Sequence, residues 1–417
     1  MIFGKNIIIY RIFSVLGIIT LGTLGLTHIK KDFGKQTGQL FSFFSFFLPV
    51  MLNYALEIRM YSWTITFVTL MVIYLNRFIK QKNFKNLLLF GLFSVISCYM
   101  HYYALITAGI VNLGLIIYVI IKRKEFEKQI IKKFILIEVM QVFLYLPWLF
   151  YFIPQVLRVE KGFWITIDFP HILIDIINFQ FKGSLEEIVP TVIACLIYLY
   201  ILYIIIKNIK NKQNIKEAII PLIIYIIVIV IVAIASIISP ILYARYLFTI
   251  TGLLIFSMSY ILSKENNKFI IGIICGIIIT ISFMNLIVNI EENYDNSNQE
   301  IISYLKQNLK EDDIIMYSDI NNGGVIAALI DTNKQYFLNL ENWSIEEAYK
   351  AYSPTMNVVS TIKEAEENAK ERIIIIDTAD LKLYNKIENK EQYKNIEIKK
   401  FEPKYKKYIY QVVILEK

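Results

Sequence analysis

"LIIYIIVIVIVAIASII" (Leu222–Ile238) decides the fold class, because it is apolar on every face of a helix. A soluble core would show apolar runs of roughly 4–8 residues for strands, or a helical stripe with a period near 3.6. An uninterrupted run of this kind fits hydrocarbon on all sides. Comparable runs recur at about 12–28, 39–53, 61–77, 86–101, 104–121, 134–152, 188–206, 219–238, 247–262 and 269–290, so the sequence predicts about ten membrane spans. With 56% hydrophobic residues in a chain of 417, this is a polytopic, mainly α-helical membrane protein.

The net charge of +8 is unevenly placed: residues 1–290 hold 26 of the 43 basic groups but 12 of the 35 acidic ones, and the remainder is net acidic. Within the apolar part every second loop is lysine-rich: "HIKKDFGK", "RFIKQKNFK", "KRKEFEKQIIKK", "KNIKNKQNIK" and "SKENNK". Insertion electrostatics account for that alternation and place these five loops on the cytoplasmic side. Nucleic acid is therefore excluded as the partner that the basic charge serves; membrane lipid is the partner. The other side receives "NYALEIRMYS", "MHYY", the stretch Phe152 to Glu187, "SPILYARY" and everything after Ile290.

Cys98, Cys195 and Cys275 all fall within apolar runs, too few and too scattered for a disulfide framework or a zinc site. No cofactor motif is present, and nothing in the spacing assigns a divalent metal. From Glu291 the pattern changes to short β-rich runs, "DIIMYS", "QYFLNL" and "RIIIID", between polar helical stretches. Two domains are expected: a transmembrane one over 1–290 and an extracytoplasmic soluble α/β one over 291–417. "KNIEIKKFEPKYKKYIYQVVILE" predicts two closing strands around a Glu-Pro-Lys turn, antiparallel at a sheet edge. "NNGG" (Asn321–Gly324) reads as a turn or helix entry rather than a phosphate cradle.

"NYALEIRMYSW" (Asn53–Trp63) places Glu57, Arg59 and two tyrosines between apolar runs. One reading is an interfacial ion pair in an aromatic belt; the other is a water-filled cavity that takes an anion. On a helix Glu57 and Tyr61 share a face; on an extended chain Glu57, Arg59 and Tyr61 do.

"RIFSVLGIITLGTLG" from Arg11, "LEIRMYSWTITFVTLMVIYLNRF" from Leu56, "CYMHYYALIT" from Cys98, "GFWITIDFPHILIDIINFQFKGS" from Gly162 and "SPILYARYLFTITGLLIF" from Ser239 follow one another in order. Together, over about residues 5 to 262, they resemble the membrane glycosyltransferases of the protein-mannosyltransferase and lipid A aminoarabinose-transferase type, which have the GT-C fold. The resemblance implies a hexosyl or pentosyl transferase using a polyprenyl-phosphate-linked sugar on the outer face of the cell membrane, with the acceptor undefined. It implies Arg59 and Arg245 as donor-phosphate ligands. Tyr61, His101, Tyr102, Trp164 and Tyr246 are further site candidates, and Glu57 and Asp168 are candidate catalytic carboxylates.

In that family the principal catalytic aspartate lies in a first external loop, ahead of the arginine-led span matched here by "RIFSVLG". The chain starts after that loop, so the expectation is a longer gene product, a misplaced start or a catalytically impaired copy. Two other function classes compete. A transporter or lipid flippase would show inverted repeats and ionisable groups near mid-membrane, and a non-catalytic scaffold would keep the fold without the chemistry.

Overall fold

The computed structural model describes residues 7–160, 168–293, 297–317, 320–330, 332, 334–339, 355–402 and 410–417. The chain divides into two compact units, Met1–Asn289 and Ile290–Lys417.

The first unit is a helix bundle. It opens with α1 (Ile7–Leu24), whose last turns widen into a π segment (Gly25–Ile29) before α2 (Lys30–Phe33). Next come α3 (Lys35–Phe47), α4 (Pro49–Leu56), α5 (Tyr61–Gln81), α6 (Phe84–Met100) and α7 (Tyr102–Ile121). After these run α8 (Lys128–Glu160), α9 (Phe169–Asn178), α10 (Ile188–Lys210) and α11 (Lys216–Ala235). The bundle closes with α12 (Thr251–Ser263) and α13 (Lys268–Asn293).

Among the described residues eight helices are long and apolar enough to cross a membrane, or nine if the bent pair α3–α4 is one span. α6, an apolar helix of 17 residues, is the tenth predicted segment and is shorter than the others. The predicted span at 39–53 is therefore not one straight helix: it bends by 57°. Pro49 causes the bend, because it holds Leu48 extended (φ −64°, ψ 134°) and starts a new helix at its first position. The hydroxyl of Ser282 on α13 donates to the Phe47 carbonyl beside the break. Asn53 on α4 accepts from the side-chain amides of Asn285 (2.8 Å) and Asn289 (2.7 Å), so α13 clasps the bent segment.

The long stretch expected as loop between Phe152 and Glu187 is partly helical, since α8 continues to Glu160 through Pro147 and Pro154 and α9 follows. Apolar side chains point outward along α8, α10, α11 and α13, as a lipid-facing surface requires, whereas α12 is buried almost throughout. Close approach of α12 to α5 depends on Gly252, where a Cβ would stand 2.1 Å from the Thr69 hydroxyl.

The five lysine-rich loops meet at one end of the bundle. Arg77 pairs with Asp32 (2.7 Å), Lys80 with Glu217 (2.6 Å), Lys82 with Glu125 (3.0 Å) and Lys207 with Glu265 (3.8 Å), and Lys268 donates to Gln36 (2.9 Å).

The second unit contains a six-stranded sheet: β1 (Ile314–Tyr317), β2 (Gln335–Leu338), β3 (Asn357–Val359), β4 (Arg372–Asp377), β5 (Asn395–Phe401) and β6 (Tyr410–Glu416). Its order is β3-β2-β1-β4-β6-β5. The first four strands are parallel; β6 runs antiparallel to both β4 and β5, and β5 forms the edge. All six residues of β4 are buried, and the four isoleucines between Arg372 and Asp377 form an apolar run because side chains pack on both faces of the strand. α14 (Ser297–Asn308) and α15 (Ile320–Leu329), which contains "NNGG", precede α16 (Ile362–Glu366), capped by the Thr361 hydroxyl. A Cβ at Gly323 would meet the Tyr317 ring at 2.7 Å, so this glycine is explained by packing.

Candidate active site

Between α4 and α5 the chain is neither helical nor fully extended. Glu57 is extended (φ −76°, ψ 123°), and its carbonyl accepts the amide of Arg59 (2.8 Å), a tight turn that folds the two side chains together. Arg59 Nε lies 3.3 Å from Glu57 Oε1. Arg245 Nη1 lies 3.5 Å from the same oxygen, although Arg245 is far from Glu57 in the chain. Two guanidinium groups thus converge on one carboxylate oxygen and leave the cluster net positive.

Arg245 reaches that point from a 3-10 helix, Ala244–Ile250, that leads into α12. Ahead of it Pro240 keeps the chain out of a helix, and Tyr103 on α7 ties the loop down. The Tyr103 hydroxyl donates to the Ile241 carbonyl (3.0 Å) and accepts the Tyr243 amide (3.3 Å). The Ser236 hydroxyl accepts the Leu242 amide (2.7 Å). Arg245 also lies over the Tyr243 ring, 5.9 Å from its centroid.

Aromatic side chains pack beneath the charged cluster. Tyr54 stacks on Phe248 (4.3 Å) and meets Tyr61 edge-on (5.3 Å); Tyr61 meets His101 (5.8 Å), and His101 meets Tyr246 (5.0 Å). Tyr61 is only 1% exposed, so it supports the charged groups from below. Such ring pairs are worth ~0.5–1.5 kcal/mol each beyond the area they bury. The ion pairs are partly solvated, with side chains 28% (Glu57), 50% (Arg59) and 37% (Arg245) exposed. Pairs of that kind add only ~0–1 kcal/mol to stability. The aromatic layer holds the geometry; the charges remain available to a ligand.

His101 is the extended residue (φ −160°, ψ 144°) between α6 and α7, and its Nδ1 accepts the amide of Tyr103 as a helix cap. Burial pushes its pKa down to about 4, so it is neutral at physiological pH. The adjacent tyrosines part company. Tyr103 turns inward with Thr107 and Val111, while Tyr102 turns toward α8, where its hydroxyl donates to Gln155 and its ring meets Phe152 (5.3 Å). Tyr102 therefore stands apart from the cluster and Tyr103 belongs to it. The sequence carried the signal: Tyr103, Thr107 and Val111 lie four residues apart, on the face where Ala104 and Ala108 are small enough for close helix packing.

Trp164 lies outside the described residues. Asp168 is exposed at the start of α9, without a side-chain capping bond, and α9 packs against the 3-10 helix that carries Arg245. Further along, ligand atoms of His171, Asp175 and Glu187 lie within 4.8 Å of one another. The Lys182 ammonium already sits there, 2.5 Å from Asp175 and 3.7 Å from Glu187, supplying the positive charge.

No protein-family model matches the chain, and no curated protein matches its sequence. Among solved structures, the chain is similar to that of ArnT from Cupriavidus metallidurans in the apo state. The TM-score is 0.55 at 11% identity, covering 97% of this chain and 83% of that one. The likeness is one of fold alone: the chain shares the architecture of that structure.

Proposed function

We propose that this chain is a glycosyltransferase that moves a sugar from a polyprenyl phosphate to an acceptor on the extracytoplasmic face of the membrane. The observation that carries this reading is the convergence of Arg59 and Arg245 on Glu57 Oε1. A point gripped by two guanidinium forks suits a phosphate oxyanion, each charge-assisted bond being worth ~1.5–3 kcal/mol. Guanidinium keeps its charge at any relevant pH, so the grip persists as the phosphate leaves. Sugar departure passes through an oxocarbenium-like state, in which holding the leaving anion lowers the barrier.

Two carboxylates are candidates to activate the acceptor. Glu57 lies within the clamp, and Asp168 opens α9 beside the Arg245 segment. Tyr54, Tyr61, His101, Tyr103 and Tyr246 form the floor that orients the arginines. With the lysine-rich loops cytoplasmic, the clamp faces the other side, and so does the Asn53–Asn289 clasp beyond which the α/β unit begins. Membranes carrying the protein are expected to release labelled sugar from a radiolabelled polyprenyl-phosphate sugar, and the Arg245→Ala form is expected to lose that activity. Equal release by both forms would remove the clamp from the mechanism.

A second reading, a transporter or flippase, draws on Glu138 within α8. Its Oε1 is buried without a hydrogen-bond partner among the described residues, one turn from a chain in which Gln141 donates to Asn112 (3.1 Å) and Asn112 donates to Ser94 (3.0 Å). Proteoliposomes separate the two readings: a transferase leaves a covalently modified acceptor, and a flippase moves its lipid unchanged.

A further inference from the structure

At the lysine-rich end of the bundle a cavity of about 210 Å³ lies between α2, the end of α5 and the first turn of α6. Lys31, Arg77 and Lys85 line it, against the single acid Asp32. Asp32 is already held by Arg77 Nε at 2.7 Å, and neither Lys31 nor Lys85 has an ion-pair partner among the described residues. Two of the three amides in the wall have their oxygens occupied. The Gln81 carbonyl accepts from Asn83 (3.0 Å) and Asn86 (2.9 Å), and the Asn83 carbonyl accepts the Asn86 backbone amide (2.9 Å). What remains for a ligand is two ammonium groups, the outer guanidinium nitrogens of Arg77 and the Gln81 amide donor, beside one amide oxygen, that of Asn86. Insertion electrostatics call for lysines at this end of the bundle, but not for a cavity in which donors and positive charge outnumber the acceptors.

We propose that this cavity binds the phosphate of an anionic phospholipid. The ligand class follows from the surplus of donors and positive charge. The lipid source follows from what adjoins the cavity. From Tyr74 in its wall, a ladder of half-buried stacked rings runs along α5 and α6 through Phe93 (5.6 Å), Phe67 (5.9 Å) and Trp63 (5.8 Å). Leu88 (45% exposed) and Leu92 (50% exposed) stand out from α6 within the apolar layer. A headgroup in the cavity leaves its acyl chains to lie against that aromatic and leucine surface. Basic pockets between spanning helices on the cytoplasmic side recognise anionic headgroups by the same physics. The site stands apart from the proposed sugar transfer and does not depend on it.

The test uses the full chain in phosphatidylcholine nanodiscs doped with phosphatidylglycerol of the same acyl chains, with retained lipid counted by native mass spectrometry. The wild type is expected to retain phosphatidylglycerol over phosphatidylcholine, and the double variant Lys31→Gln/Lys85→Gln to lose that preference about tenfold. Both lysines are exposed, so an unchanged thermal midpoint in pure phosphatidylcholine confirms that the variant is folded. A control pair in another basic loop, Lys210→Gln/Lys212→Gln, is expected to leave the preference intact. Equal retention of the two lipids by the wild type, or an equal loss from the control pair, would overturn the site. Competition by inorganic phosphate at matched concentration would overturn the lipid source.

Discussion

The two ends of the helix bundle treat charge differently. At the lysine-rich end the ion pairs run from loop to loop: Arg77 with Asp32, Lys80 with Glu217, Lys82 and Lys122 with Glu125, Lys207 with Glu265. At the other end Arg59 and Arg245 share Glu57, on a floor of tyrosines. The first arrangement satisfies insertion and ties loops together. The second leaves a positive charge that nothing in the fold requires. In a membrane protein, where a charge in the apolar layer costs ~2.5–3.5 kcal/mol on insertion scales, surplus charge beside a span points to a ligand.

The largest expected effect breaks this contrast directly. Arg245→Ala should lower sugar transfer at least tenfold and up to about a hundredfold, the loss of one charge-assisted phosphate contact. Lys80→Ala at the other end, which removes the Glu217 pair, should change it less than twofold in the same radiolabel assay. Comparable losses would mean that the two ends do not differ in role.

Next in size is Gly252→Val. Its Cβ has no room against Thr69, and overpacking of this kind costs ~1–3 kcal/mol, read as a fall in the thermal midpoint in detergent. Pairing it with Thr69→Ala should recover part of the loss. No recovery would place the strain elsewhere than between α5 and α12.

pH sharpens the contrast through His101. Its folded pKa, about 4, lies below the ordinary value of 6.5, so the unfolded chain binds the proton more readily. The resulting stabilisation is complete above pH 6.5 and is lost as pH falls from there toward 4. His101→Gln should flatten that part of the stability profile; a profile unchanged by the substitution would show that His101 is not buried in its neutral form.

The smallest effect separates neighbours. Tyr103→Phe removes both hydrogen bonds on the loop before Arg245, at ~1 kcal/mol each, and should lower transfer severalfold with a modest fall in thermal midpoint. Tyr102→Phe should be nearly silent in the same assay.

Much of the bundle was legible because spans announce themselves. Lipid contact demands apolar residues on all faces, so "LIIYIIVIVIVAIASII" could be read without knowing its neighbours. The strands "DIIMYS", "QYFLNL" and "RIIIID" were legible in the same way, whereas β3, three residues long with one buried, carries too short a pattern to read. The bend at Pro49 was present in the sequence as a proline within an apolar run, but 39–53 still read as one span because hydropathy does not register direction.

Of the residues the sequence offered as candidates, Arg59, Arg245, Glu57 and Tyr61 lie together, whereas Tyr102 turns toward α8 and Tyr103 turns inward. By itself the sequence determined composition-driven properties: which segments are long and apolar enough to span a bilayer, which loops carry the basic charge, and where β-rich runs replace apolar ones. Only the tertiary structure decided that Arg59 and Arg245 share one oxygen, because that depends on a tight turn after α4 and on a distant 3-10 helix held by Tyr103. Hydropathy is a local sum over neighbours in the chain. Convergence of charges is set by packing between residues far apart in it, and no local sum records that.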